Sequence, residues 1–136
     1  MLCERRTKNY EILVLSEMEE KEKDLIKLKA ALVFKKIIDN NKGIAEKLKE
    51  QNAINPDLIT SYRKWETASG VPIASISEIM TGERNASLTT LVTLINSLGI
   101  NTQTFGQAFD NITESELRDF KKELNRKISD KGKTKK

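Results

Sequence analysis

The stretch Ser61–Phe105, SYRKWETASGVPIASISEIMTGERNASLTTLVTLINSLGINTQTF, decides the fold. Ser61 is a residue type that caps a helix start, and the helix it opens runs to Ser69. Gly70 supplies a turn, and Pro72, with its fixed φ, opens a second helix over 72–80 that stops near Gly82. Two short helices joined by about three residues have the geometry of a helix-turn-helix. In the second helix Val71, Ile76 and Ile79 point one way, whereas Ile73, Ala74, Ser77 and Glu78 point elsewhere. Trp65 lies on the inner side of its helix and reads as core rather than as a stacking platform. Ser87 then caps an amphipathic helix bearing Leu88, Leu91, Val92, Leu94, Ile95 and Leu98, closed by Gly99, and a short helix from Thr102 to Phe109 adds Phe105 and Phe109.

Working outward, residues 8–40 contain no Gly or Pro and read as one long helix. Two apolar stripes, Leu25, Leu28, Leu32 and Ile26, Val33, Ile37, predict a wide buried face, packed either on the chain's own domain or on a second copy. The run Asp39–Gly43 is expected to end this helix, and Ile44–Asn52 to form a separate short one. Asn55, Pro56 and Asp57 mark a turn. Downstream, Thr113 and Glu116 stand in capping-box spacing before a helix with Leu117, Phe120 and Leu124. The lysine-rich residues 129–136 hold too little apolar surface to offset their ordering entropy and are expected to be disordered. Seven helices and no strand make the class all-α. The expected organisation is a long N-terminal helix for packing or dimerisation (1–43), a helix-turn-helix domain (44–110), a C-terminal helix (111–128) and a basic tail (129–136).

Composition narrows the function. The chain of 136 residues has no histidine and only Cys3, which leaves no Cys/His zinc site, no Cys/His or Ser/His catalytic pair and no internal disulfide. Its acidic residues form no recognisable paired or metal-binding constellation, so no cofactor and no enzyme activity are expected. The longest apolar run, Ala30–Phe34, is far short of the roughly 18 residues that span a bilayer, and a cytoplasmic protein with no membrane partner is expected. The net charge of +4 is unevenly distributed: residues 1–43 carry 10 basic and 8 acidic side chains, 44–110 carry 5 and 7, and 111–136 carry 9 and 5. The helix-turn-helix region is itself slightly acidic.

Ser61–Phe105 resembles the lambda-repressor-like (Cro/C1, XRE-type) helix-turn-helix family. The resemblance rests on Ser69, Gly70 and Val71 at the turn, then Ile76, Ser77, Ile79 and Gly82, followed at family spacing by Leu88, Thr90, Leu91, Leu94, Leu98, Gly99 and Phe105. The SYRKWE and FDNITESEL segments look like a subgroup of small bacterial regulators of this type. Two departures stand out. The linker between Asn52 and Ser61 is about three residues longer than the family's, and Glu66 replaces a small residue where the two motif helices cross closely. A carboxylate there must accept from the amides at the start of the second helix or lean out to water.

The resemblance implies a lambda-repressor-like helical bundle and a sequence-specific transcriptional regulator that binds double-stranded DNA. The second motif helix would enter the major groove, with Ile73, Ala74, Ser77 and Glu78 at base edges: methyl contacts from the first two, an acceptor for a cytosine amino group from Glu78. Ser61, Tyr62, Arg63, Ser75, Arg84 and Asn85 would hold phosphates. With so little positive charge in the motif, affinity per monomer is expected to be low, and a homodimer placing two recognition helices about 34 Å apart on a pseudo-palindrome would add the contacts. The N-terminal and C-terminal helices are both candidates for that interface. The alternative is an antitoxin-like or adaptor module whose N-terminal helix grips a protein partner, with DNA binding secondary or absent.

Overall fold

A computed structural model describes the backbone of residues 2–134 and the side chains of residues 20–127. Among the described residues six helices follow one another: α1 (Leu2–Glu50), α2 (Tyr62–Ser69), α3 (Ile73–Met80), α4 (Leu88–Ser97), α5 (Thr102–Asp110) and α6 (Glu114–Thr134). No strand occurs among the described residues, so the all-α class holds.

The largest departure from expectation is α1. It does not end at Asp39–Gly43 but continues unbroken to Glu50, absorbing the short helix expected at 44–52. Two asparagines and a glycine cost a helix interior about 2 kcal/mol together, and tertiary packing outweighs that. Ile38 is buried on one side of the weak stretch, and the amide of Asn41, itself buried, donates to the Ile59 carbonyl at 2.9 Å. The true end comes at Asn52, left-handed at φ 56°. There the Ala53 N–H donates to the Leu48 carbonyl at 2.7 Å and the Asn52 N–H to Lys49 at 3.0 Å, the paired bonds of a Schellman ending. A second departure lies at the other terminus, where α6 carries the backbone through most of the expected tail to Thr134. Lysines form helices well, and positive charge near a helix C-terminus complements its dipole. Residues 135 and 136 fall outside the described residues.

The core is built around the middle of α1. Ala31, Leu32, Val33 and Phe34 are all buried. Four consecutive helical residues point around almost the full circle, so α1 must be enclosed at this level, and α3, α5 and α6 pack against it. Phe34 sits at the centre, with the Trp65 ring edge-on at 4.9 Å and the Phe105 ring at 5.0 Å. Trp65 is fully buried, as its sequence position implied, and its indole N–H is satisfied by Ser97 Oγ at 2.9 Å. Of the two expected α1 stripes, only the lower parts are covered: Leu32 and Val33 are buried, Leu28 and Ile37 half-buried, and Leu25 and Ile26 exposed.

The caps foreseen for the shorter helices form. Ser61 and Ser87 accept from the backbone N–H groups of Lys64 and Thr90, and Asn101, which the sequence reading did not single out, accepts from that of Thr104. Thr113 accepts from Glu116 N–H at 3.2 Å, but the Glu116 carboxylate pairs with Lys36 of α1 instead of returning to the cap. That tie docks the start of α6 on the central helix. Among the described residues no helix is long and apolar enough to cross a membrane.

Candidate nucleic-acid interface

The α2–turn–α3 unit is held together by bonds that the local sequence supplies. Gly70 adopts φ +78° and donates to the Glu66 carbonyl at 2.8 Å, a conformation that side chains with a Cβ resist. Ser69 stitches the turn from both sides: its hydroxyl donates to the Trp65 carbonyl at 2.6 Å and accepts from the Val71 N–H at 3.1 Å. Ile76, Ile79 and Met80 bury the inner face of α3 together with Val71. Met80 was not foreseen as core, although it stands four residues after Ile76, at the spacing of the same helix face.

Glu66 resolves the crossing problem in one of the two ways open to it. Its carboxylate accepts from the Ile73 N–H at 2.6 Å. Pro72 occupies the N-cap of α3 and offers no side-chain hydrogen bond, so a carboxylate from the preceding helix takes over that task, favoured by the helix dipole. Glu66→Ala is expected to destabilise by about 0.5–2 kcal/mol, the usual cost of a lost cap. Glu66→Gln, which keeps an acceptor, should recover most of it; chemical denaturation of the three proteins makes the comparison.

The residues expected at base edges share one outward surface of α3: Ile73, Ala74, Ser77 and Glu78 are all exposed. Positions 73 and 77, and 74 and 78, are four apart and therefore stacked on neighbouring turns. The expected phosphate contacts are more dispersed. Arg63 is exposed on the first turn of α2, and Asn85 is exposed in the α3–α4 loop. Ser61 spends its hydroxyl on the α2 cap. Tyr62 is only 37% exposed. Burial, reinforced by the charge of Asp39 and opposed by Lys35, holds its phenol above the usual tyrosine range, so it stays a neutral donor well into alkaline solution.

Arg84 and Ser75, expected to act separately, are joined. The Arg84 guanidinium donates to Ser75 Oγ at 2.7 Å and to the Glu78 carboxylate at 3.2 Å. Glu78 is thus not a free acceptor but half of an ion pair. Both partners are about half exposed, and such surface pairs contribute at most about 1 kcal/mol, so a stronger anion can draw Arg84 away. Nine residues separate Arg84 from Ser75 across a loop, and no spacing rule flags that contact.

Sequence reading also missed a groove of about 340 Å³ beside the start of α2. Leu48 and Leu58 line it, Ile54 stands on it 87% exposed, and Lys42, Lys49 and Lys64 come together around it from α1 and α2. Lys42 and Lys49 stand two turns apart on α1, and only Lys64 comes from a distant part of the chain. Lys64 adjoins Arg63 in the chain, and Glu46 lines the same groove, so the cluster is positive with one carboxylate in it. No family model matches this chain, and no match was found among curated proteins or solved structures.

Proposed function

We propose that this chain is a sequence-specific, DNA-binding transcriptional regulator of the lambda-repressor-like helix-turn-helix type, working as a homodimer on a pseudo-palindromic operator without catalysis. One observation carries the reading: a short helix stands on a glycine turn with its inner face buried and Ile73, Ala74, Ser77 and Glu78 aligned outward. That is the arrangement by which a helix offers side chains to a major groove. Arg63 and Lys64 at the start of α2, with Lys42 and Lys49 across the groove, support it by offering positive charge for phosphate contact.

Selection from randomised duplex DNA should enrich a two-half-site motif; enrichment of nothing rejects the proposal. On the selected operator, Arg63→Ala is expected to weaken all sequences alike and to flatten the plot of log affinity against log salt by about 1.8, the release of two phosphates' counterions, one per protomer. Glu78→Gln should alter preference at one base step per half-site, by about 1–3 kcal/mol.

A protein-binding role is favoured by a different observation, the part of α1 that leaves the bundle with Leu25 and Ile26 exposed. Deleting residues 1–43 would not test it, because Ala31–Phe34 and Ile38 belong to the core. Substitutions in the exposed arm are the suitable probe.

A further inference from the structure

The chain leaving α3 folds back on the helix it has just left. Gly82 is left-handed at φ 76°, and the N–H groups of Glu83 and Arg84 both donate to the Glu78 carbonyl, at 3.0 and 3.2 Å. Arg84 is therefore tied to Glu78 twice, through its backbone and through its side chain. The side-chain tie uses one nitrogen, Nη1, which donates to Ser75 Oγ at 2.7 Å and to the Glu78 carboxylate at 3.2 Å. Neither bond uses Nε or Nη2, whose N–H groups form the fork along one edge of the guanidinium. Both side chains are about half exposed. Glu78 stands four residues after Ala74 on the outward surface of α3, so the guanidinium is held against the surface that carries Ile73, Ala74 and Ser77.

We infer that Arg84, positioned by Glu78 and Ser75, is the group that reads a base at this end of α3, and that it selects one guanine in each half-site. This role rests on the DNA-binding reading above and exchanges the parts of two residues: Glu78 becomes a positioning residue, and Arg84 meets the base. The free fork matches the O6 and N7 acceptors of guanine, which lie side by side in the major groove. Charge decides between that base edge and a phosphate. The Arg84–Glu78 pair is neutral as a unit, and the guanine edge is uncharged, so docking one on the other opposes no like charges. A phosphate that drew Arg84 away would leave the Glu78 carboxylate facing the DNA backbone without its partner, where the two negative charges repel. The double tie to Glu78 also lowers the entropy that a long, freely rotating arginine would lose on meeting its base.

The test is selection from randomised duplex DNA with the full-length chain, followed by affinity measurements across a salt series for the wild type, Arg84→Ala, Arg84→Lys and Glu78→Gln. The wild type should enrich a guanine at one step of each half-site, and replacing that G·C pair should weaken binding by about tenfold or more. In Arg84→Ala the discrimination should fall to about twofold or less, while the slope of log affinity against log salt stays close to the wild type's. Glu78→Gln should lose part of the discrimination and steepen the slope, because an Arg84 without its carboxylate is free to take a phosphate. Uniform weakening of all sequences by Arg84→Ala, with the slope flattened by about 1.8, would make Arg84 a phosphate contact and overturn the inference. A G·C preference that survives Arg84→Ala but disappears in Glu78→Gln would overturn it too, since Glu78 would then accept from the cytosine amino group itself. Either result leaves the regulator reading standing, whereas a wild type that enriches no sequence rejects both. Thermal unfolding should match the wild type's in every variant, as both side chains are half exposed. Should Arg84→Ala prove unstable, Arg84→Lys gives the same comparison: it keeps the charge without the planar fork, and an undiminished guanine preference there rejects the role.

Discussion

Replacing Phe34 by alanine is expected to lower stability by about 3–5 kcal/mol, a large share of the 5–15 kcal/mol typical of a domain. Phe34 has no exposed surface and joins three elements through its ring contacts with Trp65 of α2 and Phe105 of α5. It projects from the one level of α1 that is enclosed on every side, so the surrounding helices can close the void only by moving against one another. Partial collapse leaves a cavity, whose cost adds to the lost transfer energy. Phe34→Leu, which retains more of the volume, should cost less than half as much. Denaturant unfolding followed by Trp65 fluorescence reads both, because that indole forms a wall of the same site; equal midpoints for the wild type and Phe34→Ala would show that the ring cluster is not the centre of the core.

The second large effect is expected at Asn41. Asn41→Leu keeps the side-chain size but removes the donor to Ile59, leaving a buried carbonyl unpaired at a cost of about 1–3 kcal/mol. Asn41→Asp should be no better at neutral pH, because a carboxylate has no proton to donate and faces the carbonyl oxygen with like charge. Ile59 is itself buried two residues before the α2 cap at Ser61, so the bond determines where the chain enters α2. Amide exchange at the start of α2 should accelerate in both variants. If stability is unaffected, the bond is dispensable and some other contact carries α1 through its weak stretch.

Much of the geometry of α2, the turn and α3 was legible in the sequence because its signals are local. Ser61, Ser69, Gly70 and Pro72 specify caps and a turn within a few residues of where they act, and the alternation of Ile73, Ala74, Ser77 and Glu78 with Ile76 and Ile79 follows helical periodicity. Even the Glu66 anomaly announced its two solutions, since a carboxylate at a helix crossing has few places to go. Arg84 was less accessible. Its pairing with Ser75 and Glu78 depends on how the α3–α4 loop folds back, so that Arg84 stands as a partner of the Glu78 carboxylate rather than as a separate group.

What the sequence determined by itself is therefore short-range: helical class, cap positions, the glycine turn and the outward surface of α3. Each depends on residues within one or two turns of helix. Tertiary structure alone decided the continuity of α1 through Asn40, Asn41 and Gly43, the enclosure of Phe34, and the convergence of Lys42, Lys49 and Lys64. The physical reason is one of magnitude. Local propensities differ by less than about 1 kcal/mol per ordinary residue, whereas a buried aromatic contact or a satisfied buried amide is worth as much or more. Where the two conflicted, as at Asn41, the long-range term prevailed.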